Sequence, residues 1–116
     1  MKIHKGLTLE HWSTFSLMEQ LSNVGCDVER TVRWRDKGNK DFSDKAFDRV
    51  LELLDLTIAD KKNRTRLKEL VRMREVLVDY FMYDNIYGSS DKLWHDYFYY
   101  FAYRAAAQRE ERRKKS

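Results

Sequence analysis

The segment Leu93–Ala107 constrains the fold more than any other part of the 116-residue chain, because it places seven large aromatic side chains within about three turns of a helix. At 3.6 residues per turn, one helical face carries Trp94, Phe98, Phe101 and Ala105. A second face carries His95, Tyr99, Ala102, Tyr103 and Ala106. A helix that is apolar on two faces must be covered on both. We expect the first face to join the protein's own core and the second to meet a partner.

Two kinds of partner fit this second face. Tyrosine side chains suit half-hydrated contacts between subunits, which predicts a homodimer interface that includes His95, Tyr99 and Tyr103. The alternative is a stacking platform for nucleobases, as in proteins that bind single strands. We favour the dimer interface, because stacking platforms usually interleave aromatic residues with arginines, whereas here the arginines follow the aromatic residues.

Helical periodicity extends over most of the chain, and the sequence lacks the strict apolar alternation that is typical of strands. Proline, which interrupts helices, does not occur. We predict helices over residues 13–37, 43–59, 63–83 and 90–110, after a lead-in at 1–12 and before a basic tail at 111–116. Short turns between such helices favour antiparallel neighbours. The sequence therefore predicts a single all-α domain, an up-and-down four-helix bundle.

Residues that are typical of helix ends mark the first predicted helix. Ser16 and Glu19 have the spacing of a capping box near its start. Gly38 and Asn39 tolerate the left-handed conformation that ends a helix. Gly25 lies beside the apolar stripe of this helix, so we expect another helix to approach closely there.

The next two helices have candidate caps as well. Ser43 is the predicted N-cap of the second helix, with Phe42 and Phe47 at the spacing of a hydrophobic staple. Asn63 is the predicted N-cap of the third helix.

The up-and-down order would bring basic residues from distant segments to one pole of the molecule, although the net charge is only +4. The candidate nucleic-acid-binding residues at this pole are Lys61, Lys62, Arg64, Arg66, Lys68, Arg104, Arg109, Arg112 and Arg113. Arg64, Arg66 and Lys68 open a helix, where the helix dipole disfavours positive charge and a bound phosphate would offset that cost. We predict that the pole binds an RNA or DNA backbone without base specificity; the alternative is a solvated face with a basic tail.

The sequence contains no pattern that is typical of a catalytic or metal centre. Its histidines are scattered, without metal-ligand spacing: His4, His11 and His95. No glycine-rich phosphate loop occurs, so we assign no catalytic residue, metal or cofactor. The single cysteine, Cys26, is expected to be buried or half-buried and indicates a reducing cytoplasm. No apolar run approaches the roughly 20 residues that span a bilayer, so we expect a cytoplasmic protein without a membrane segment.

Two segments carry a resemblance to known proteins: Trp34–Gly38 (WRDKG) closes one predicted helix and Ala46–Leu54 (AFDRVLELL) opens the next. Over residues 20–105 this pattern resembles small bacterial and archaeal all-helical proteins without assigned function and, more distantly, the HEPN superfamily of helical bundles. The resemblance implies dimerisation and an association with RNA or with toxin–antitoxin systems. HEPN ribonucleases use an arginine four to six residues before a histidine, and no arginine precedes a histidine at that distance here. The resemblance therefore implies the fold without the nuclease chemistry.

These observations predict a small non-enzymatic binding protein that holds nucleic acid through its basic pole. The alternative, from a different class, is a dimeric protein–protein interaction or regulatory module with no nucleic-acid role. Salt separates the two, because phosphate binding weakens steeply as salt rises and an apolar interface responds little.

Overall fold

The computed structural model of the chain describes residues 7–115. Its elements are α1 (Leu9–Trp12), α2 (Leu17–Asp36), α3 (Lys40–Ala59), a 3₁₀ turn (Lys61–Arg66), α4 (Leu67–Met82) and α5 (Asp91–Lys115). The all-α prediction is confirmed, since residues 7–115 contain no β-strand. This range holds five α-helices instead of the predicted four, because part of the predicted lead-in forms α1.

Helices α2 and α3 are antiparallel neighbours. Near the end of α2, the carbonyl oxygen of Thr31 accepts a hydrogen bond from Ser43 in the first turn of α3, at 2.9 Å. At the opposite end, Gln20 in α2 donates to the carboxylate of Asp60, directly after α3, also at 2.9 Å. Helix α3 is thereby tied to α2 at both of its ends.

Helix α5 runs antiparallel to α2 and begins beside the end of α4. The Arg35 guanidinium and the Tyr80 hydroxyl both donate to the carboxylate of Asp91, each at 2.5 Å. At the other end of the molecule, Ser16 Oγ donates to Gln108 Oε1 at 2.7 Å. We call the end that contains residues 61–68 and 104–115 the basic pole, and the end that contains residues 33–45 and 82–92 the loop pole.

The predicted core face of α5 is confirmed, because all four of its side chains are buried: Trp94, Phe98, Phe101 and Ala105. Phe98 packs against α2 at Gly25, where a Cβ atom would lie only 2.7 Å from the Cβ of Phe98. This spacing confirms the expected close approach at Gly25. The contact between α2 and α5 therefore depends on the absence of a side chain at this position.

The predicted capping box and the predicted glycine stop of the first long helix are confirmed. Ser16 Oγ accepts the backbone N–H of Glu19, and the Glu19 carboxylate accepts the backbone N–H of Ser16, so the capping box is complete. Gly38 closes α2 with φ of +78°. The helix begins at Leu17 instead of residue 13, because residues 13–16 form the turn that leads into the cap.

The predicted caps of the next two helices are wrong. Asn39 caps α3 by accepting the backbone N–H of Phe42, so α3 begins at Lys40 and Ser43 lies buried within its first turn. From the sequence, Asn39 is expected only at the end of the preceding helix, but the residue also caps α3. Asn63 is not a helix cap either, since it is buried inside the 3₁₀ turn and α4 begins at Leu67.

The structure differs from the sequence-based predictions at three further places: the basic tail, Cys26 and the lead-in. The segment 111–115 of the predicted tail is helical, because α5 continues to Lys115. Cys26 is exposed, because it lies on the outer side of α2. The lead-in contributes Trp12 to the core, while residues 1–6 and 116 lie outside the described range.

The substitution Gly25→Ala should lower the free energy of unfolding by about 1–2 kcal/mol. Alanine contributes about 1 kcal/mol of helix propensity, but its methyl group would displace Phe98, and overpacking typically costs more than that gain. Urea unfolding measures the difference. Asn23→Ala, at an exposed position on the same helix, is the control and should leave stability within about 0.5 kcal/mol. Equal or higher stability of Gly25→Ala would contradict the close contact.

Candidate nucleic-acid interface

A buried group of polar side chains fixes the 3₁₀ turn at the basic pole. Gln20 Nε2 donates to the carboxylate of Asp60 at 2.9 Å and to the carbonyl oxygen of Trp12 at 3.0 Å. Asn63 Nδ2 donates to Gln20 Oε1 and to the carbonyl oxygen of Thr57, both at 2.9 Å. We call Gln20, Asp60 and Asn63 the buried amide cluster. Its bonds attach the turn to α1, α2 and α3 at once, so the turn has one defined conformation.

Asp60 also organises the start of the turn. Its carboxylate accepts the backbone N–H of Lys62 at 3.2 Å and forms an ion pair with the Lys62 ammonium at 2.5 Å. Burial alone would raise the pKa of the Asp60 carboxyl, but the hydrogen bonds from Lys62 and Gln20 together hold that pKa below its ordinary value. The carboxylate is therefore retained as a charged group in a buried position.

The structure divides the nine predicted binding residues into two groups. Five of them are exposed and make no hydrogen bond or ion pair with any residue in the range 7–115: Lys61, Arg64, Lys68, Arg104 and Arg109. We call these the free cations. The other four form ion pairs within the chain: Lys62, Arg66, Arg112 and Arg113. Only the free cations can bind a phosphate without breaking an existing pair.

Arg112 has a structural role, because its guanidinium contacts the Glu19 carboxylate at 2.8 Å and so attaches the last turns of α5 to the capping box of α2. Burial would raise the pKa of Glu19, but the backbone N–H of Ser16 and the charge of Arg112 hold it below its ordinary value. Arg113 pairs with Glu110 on the same helix at 2.6 Å.

The free cations do not all share one face. Lys61, Arg64 and Lys68 follow one another along the 3₁₀ turn and the first turn of α4. Arg104 and Arg109 are five residues apart on α5, so they point about 140° apart around its axis. A single ligand that contacts the 3₁₀ turn can therefore reach one of these two arginines more readily than the other.

The two tyrosines of the predicted interface are strongly exposed, since Tyr99 and Tyr103 each retain 64% of their accessible surface. His95 lies on the same face, where its ring stacks beside Tyr99 and its Nδ1 lies 2.6 Å from the carboxylate of Glu29. We call His95, Tyr99 and Tyr103, with Ala102 and Ala106, the outer stripe of α5. All five of these residues are exposed among residues 7–115.

The position of Arg66 relative to two tyrosines of α5 was not predicted from the sequence. Arg66 forms an ion pair with Glu69 at 2.9 Å, and it lies close enough to Tyr97 and Tyr100 of α5 to interact with their hydroxyl groups electrostatically. Burial raises the pKa of Tyr97 to about 12, with a further contribution from Glu69. Arg66 at the end of the 3₁₀ turn therefore lies near two tyrosines of α5 that are distant from it along the chain. Only the packing of the 3₁₀ turn beside α5 could reveal this.

Other regions offer less for chemistry. Residues 7–115 contain no group of three or more metal-binding side chains, and none of their helices is long and apolar enough to cross a membrane. A cleft of about 730 Å³ at the loop pole is lined by Phe47 and Phe81, but its cations Arg35 and Lys40 are paired with carboxylates.

The chain matches no protein-family model, no curated protein and no solved structure.

Stability should depend on pH through Asp60. Because its pKa in the folded state lies below the ordinary value of 3.8, its contribution is fully present above about pH 4 and is lost as the pH falls through the folded pKa. Asp60→Asn should lower the free energy of unfolding at pH 7 by about 1.5–3 kcal/mol, since hydrogen bonds to a charged group are weakened. The variant should also lose less stability than the unmodified chain between about pH 4 and pH 2.

Denaturant unfolding monitored by circular dichroism at each pH measures both effects. Asp84→Asn, at an exposed carboxylate, is the control and should leave both quantities nearly unchanged. If Asp60→Asn and the unmodified chain lost the same free energy of unfolding as the pH falls, Asp60 would not be responsible for the pH dependence of stability.

Proposed function

We propose that this chain is a non-enzymatic protein that binds the phosphate backbone of RNA or DNA through its basic pole. The scaffold in this proposal is an up-and-down four-helix bundle formed by α2, α3, α4 and α5, with α1 packed against α3. The free cations provide the contacts, and the buried amide cluster holds the turn that carries three of them.

One observation carries the proposal: within the described range, Lys61 and Arg64 in the 3₁₀ turn and Lys68 in the first turn of α4 are exposed and unpaired. Helix dipoles favour anions at this end of a helix and disfavour cations. In addition, Arg66, which directly precedes α4, provides no side-chain cap, although Glu69 lies in the first turn of this helix. A phosphate bound beside these residues would neutralise cations that otherwise repel one another and the helix dipole.

Substitution of Lys61, Arg64 and Lys68 together by glutamine should weaken binding of an oligonucleotide at least tenfold at low salt. Each lost phosphate contact also removes about 0.7 from the slope of log affinity against log salt for a single strand, so the slope should fall by about 2. Fluorescence anisotropy of a labelled oligonucleotide over a series of salt concentrations measures both quantities.

The matched control removes three positive charges at the loop pole, by substitution of Arg33, Lys37 and Lys45 with glutamine. These residues are exposed and make no ion pair with any residue in the range 7–115. The control should keep most of the affinity and the slope. Equal losses in the two triple variants would mean that net charge alone attracts the polyanion and that the basic pole is not a site.

We also propose that the outer stripe of α5 forms a homodimer interface. Tyr99 and Tyr103 lie two residues on either side of Phe101, and Lys92 and Glu110 lie nine residues on either side of it. If two copies of α5 pair antiparallel about a two-fold axis at Phe101, Tyr99 of one copy lies opposite Tyr103 of the other. Lys92 of one copy then lies opposite Glu110 of the other. Because 18 residues are five full helical turns, Lys92 and Glu110 also share one flank of α5.

The same stripe supports the alternative function, a protein–protein interaction or regulatory module of the HEPN-like, toxin–antitoxin kind without a nucleic-acid role. Two exposed tyrosines beside the small Ala102 and Ala106 suit a protein surface, because aromatic side chains contribute most of the contact energy at interfaces. The salt series described above separates this alternative from backbone binding.

Sedimentation equilibrium at micromolar protein should give twice the monomer mass of 14.1 kDa. The double substitution of Tyr99 and Tyr103 by glutamate should return the mass to that of the monomer, because it places like charges opposite one another. Tyr83→Glu, at a position that is 73% exposed at the loop pole, should leave the dimer intact. A monomeric mass for the unmodified chain would remove the basis for the interface.

A further inference from the structure

We propose that the basic pole is specific for single-stranded polynucleotide, with an unpaired base stacked on Tyr100 and a neighbouring phosphate bound by Arg104. This inference rests on the proposed function, since it names the form of nucleic acid that the same site accepts. It concerns the side of α5 that carries Tyr97 and Tyr100, which borders the outer stripe at Tyr103, about 60° away around the helix.

Tyr100 is placed to offer its ring to a ligand. It retains 55% of its accessible surface, and its ring is braced on the inner side by Phe101, with ring centroids 5.3 Å apart at an angle of 75°. Phe101 is in turn held by Tyr97, at 5.2 Å. A braced ring loses little conformational freedom when a base stacks on it, and every base has a face that can stack.

Cations surround this ring on the side toward the pole. Arg104 lies one helical turn beyond Tyr100, about 6 Å along the axis and about 40° around it. Its guanidinium is a free cation, whereas Arg66 beside Tyr100 is held by Glu69. Arg64 and Lys61 lie in the same 3₁₀ turn as Arg66. A strand whose base lies on Tyr100 can therefore extend its phosphates toward cations that have no competing partner.

A duplex does not satisfy this arrangement. Except for the terminal pairs, its bases are stacked on both faces and are not available to a tyrosine ring, so a duplex would contact the pole through its phosphates. The outer stripe does not satisfy it either, because no arginine lies three or four residues from Tyr99 or Tyr103 on the helix. The combination of an exposed, braced ring with a free arginine one turn away belongs to Tyr100 and Arg104.

The test compares four labelled oligonucleotides of equal length at one salt concentration, with the full chain. They are a single-stranded RNA, a single-stranded DNA, a single strand of DNA with abasic sites in place of all bases, and a blunt DNA duplex. Anisotropy should show tighter binding of both base-bearing single strands than of the abasic strand or the duplex. A preference between RNA and DNA identifies which of the two polymers fits the site better.

Tyr100→Leu should weaken binding of the base-bearing strands about fivefold to a hundredfold, because base–aromatic stacking is lost. Binding of the abasic strand and the salt slope should stay unchanged. Arg104→Gln should weaken binding of all four ligands and lower the salt slope by about 0.7 for the single strands. Tyr83→Leu, an exposed tyrosine at the loop pole, is the control for loss of an aromatic side chain.

Two results would overturn the proposal. Equal affinity for the base-bearing and abasic strands, or an unchanged affinity of Tyr100→Leu, would show that no base stacks there. If the Lys61, Arg64 and Lys68 variant still lost binding in that case, phosphate binding by the pole would stand and only the single-strand inference would fail. Absence of binding to all four ligands at low salt would refute the proposed function as well. Circular dichroism and unfolding midpoints confirm that each variant is folded.

Discussion

The buried amide cluster is the constraint on which the basic pole depends. Gln20, Asp60 and Asn63 are almost fully buried, yet the side-chain oxygen and nitrogen of Gln20 both have partners, and Asp60 is bonded to Gln20 and Lys62. Buried polar groups are costly when they are unpaired, so the turn keeps the conformation that satisfies them. A cation on a rigid turn loses less freedom on binding than one on a mobile loop.

A second constraint sets the position of α5, the helix that carries both proposed surfaces. Gly25 admits Phe98, and the rotation of α5 that buries Phe98 also exposes Tyr99 on one side and Tyr100 on another. The aromatic segment therefore serves the core, the outer stripe and the basic pole through three different faces. Its position along the axis is maintained at both ends, by Asp91 and by Arg112.

Helical periodicity is sufficient to predict the four long helices, the buried face of α5 and the close approach at Gly25, because these depend on neighbours within a few turns. The sequence does not reveal the buried amide cluster, since Gln20 and Asp60 are 40 residues apart. The sequence also does not distinguish Arg64, which is free, from Arg66, which is paired. Both arginines lie in the 3₁₀ turn, but Arg66 is three residues before Glu69 and forms an ion pair with it. The proximity of Arg66 to Tyr97 and Tyr100 likewise depends on the packing of the 3₁₀ turn beside α5.

The most direct measurement of the central claim is a titration of the ¹⁵N-labelled chain with an unlabelled single-stranded oligonucleotide, followed by amide chemical shifts. Backbone binding at the basic pole predicts shift changes at residues 61–68 and 100–104 that reverse when salt is added, while amides lining the loop-pole cleft stay unchanged. Shift changes confined to the loop pole, or none at all at low salt, would contradict the claim.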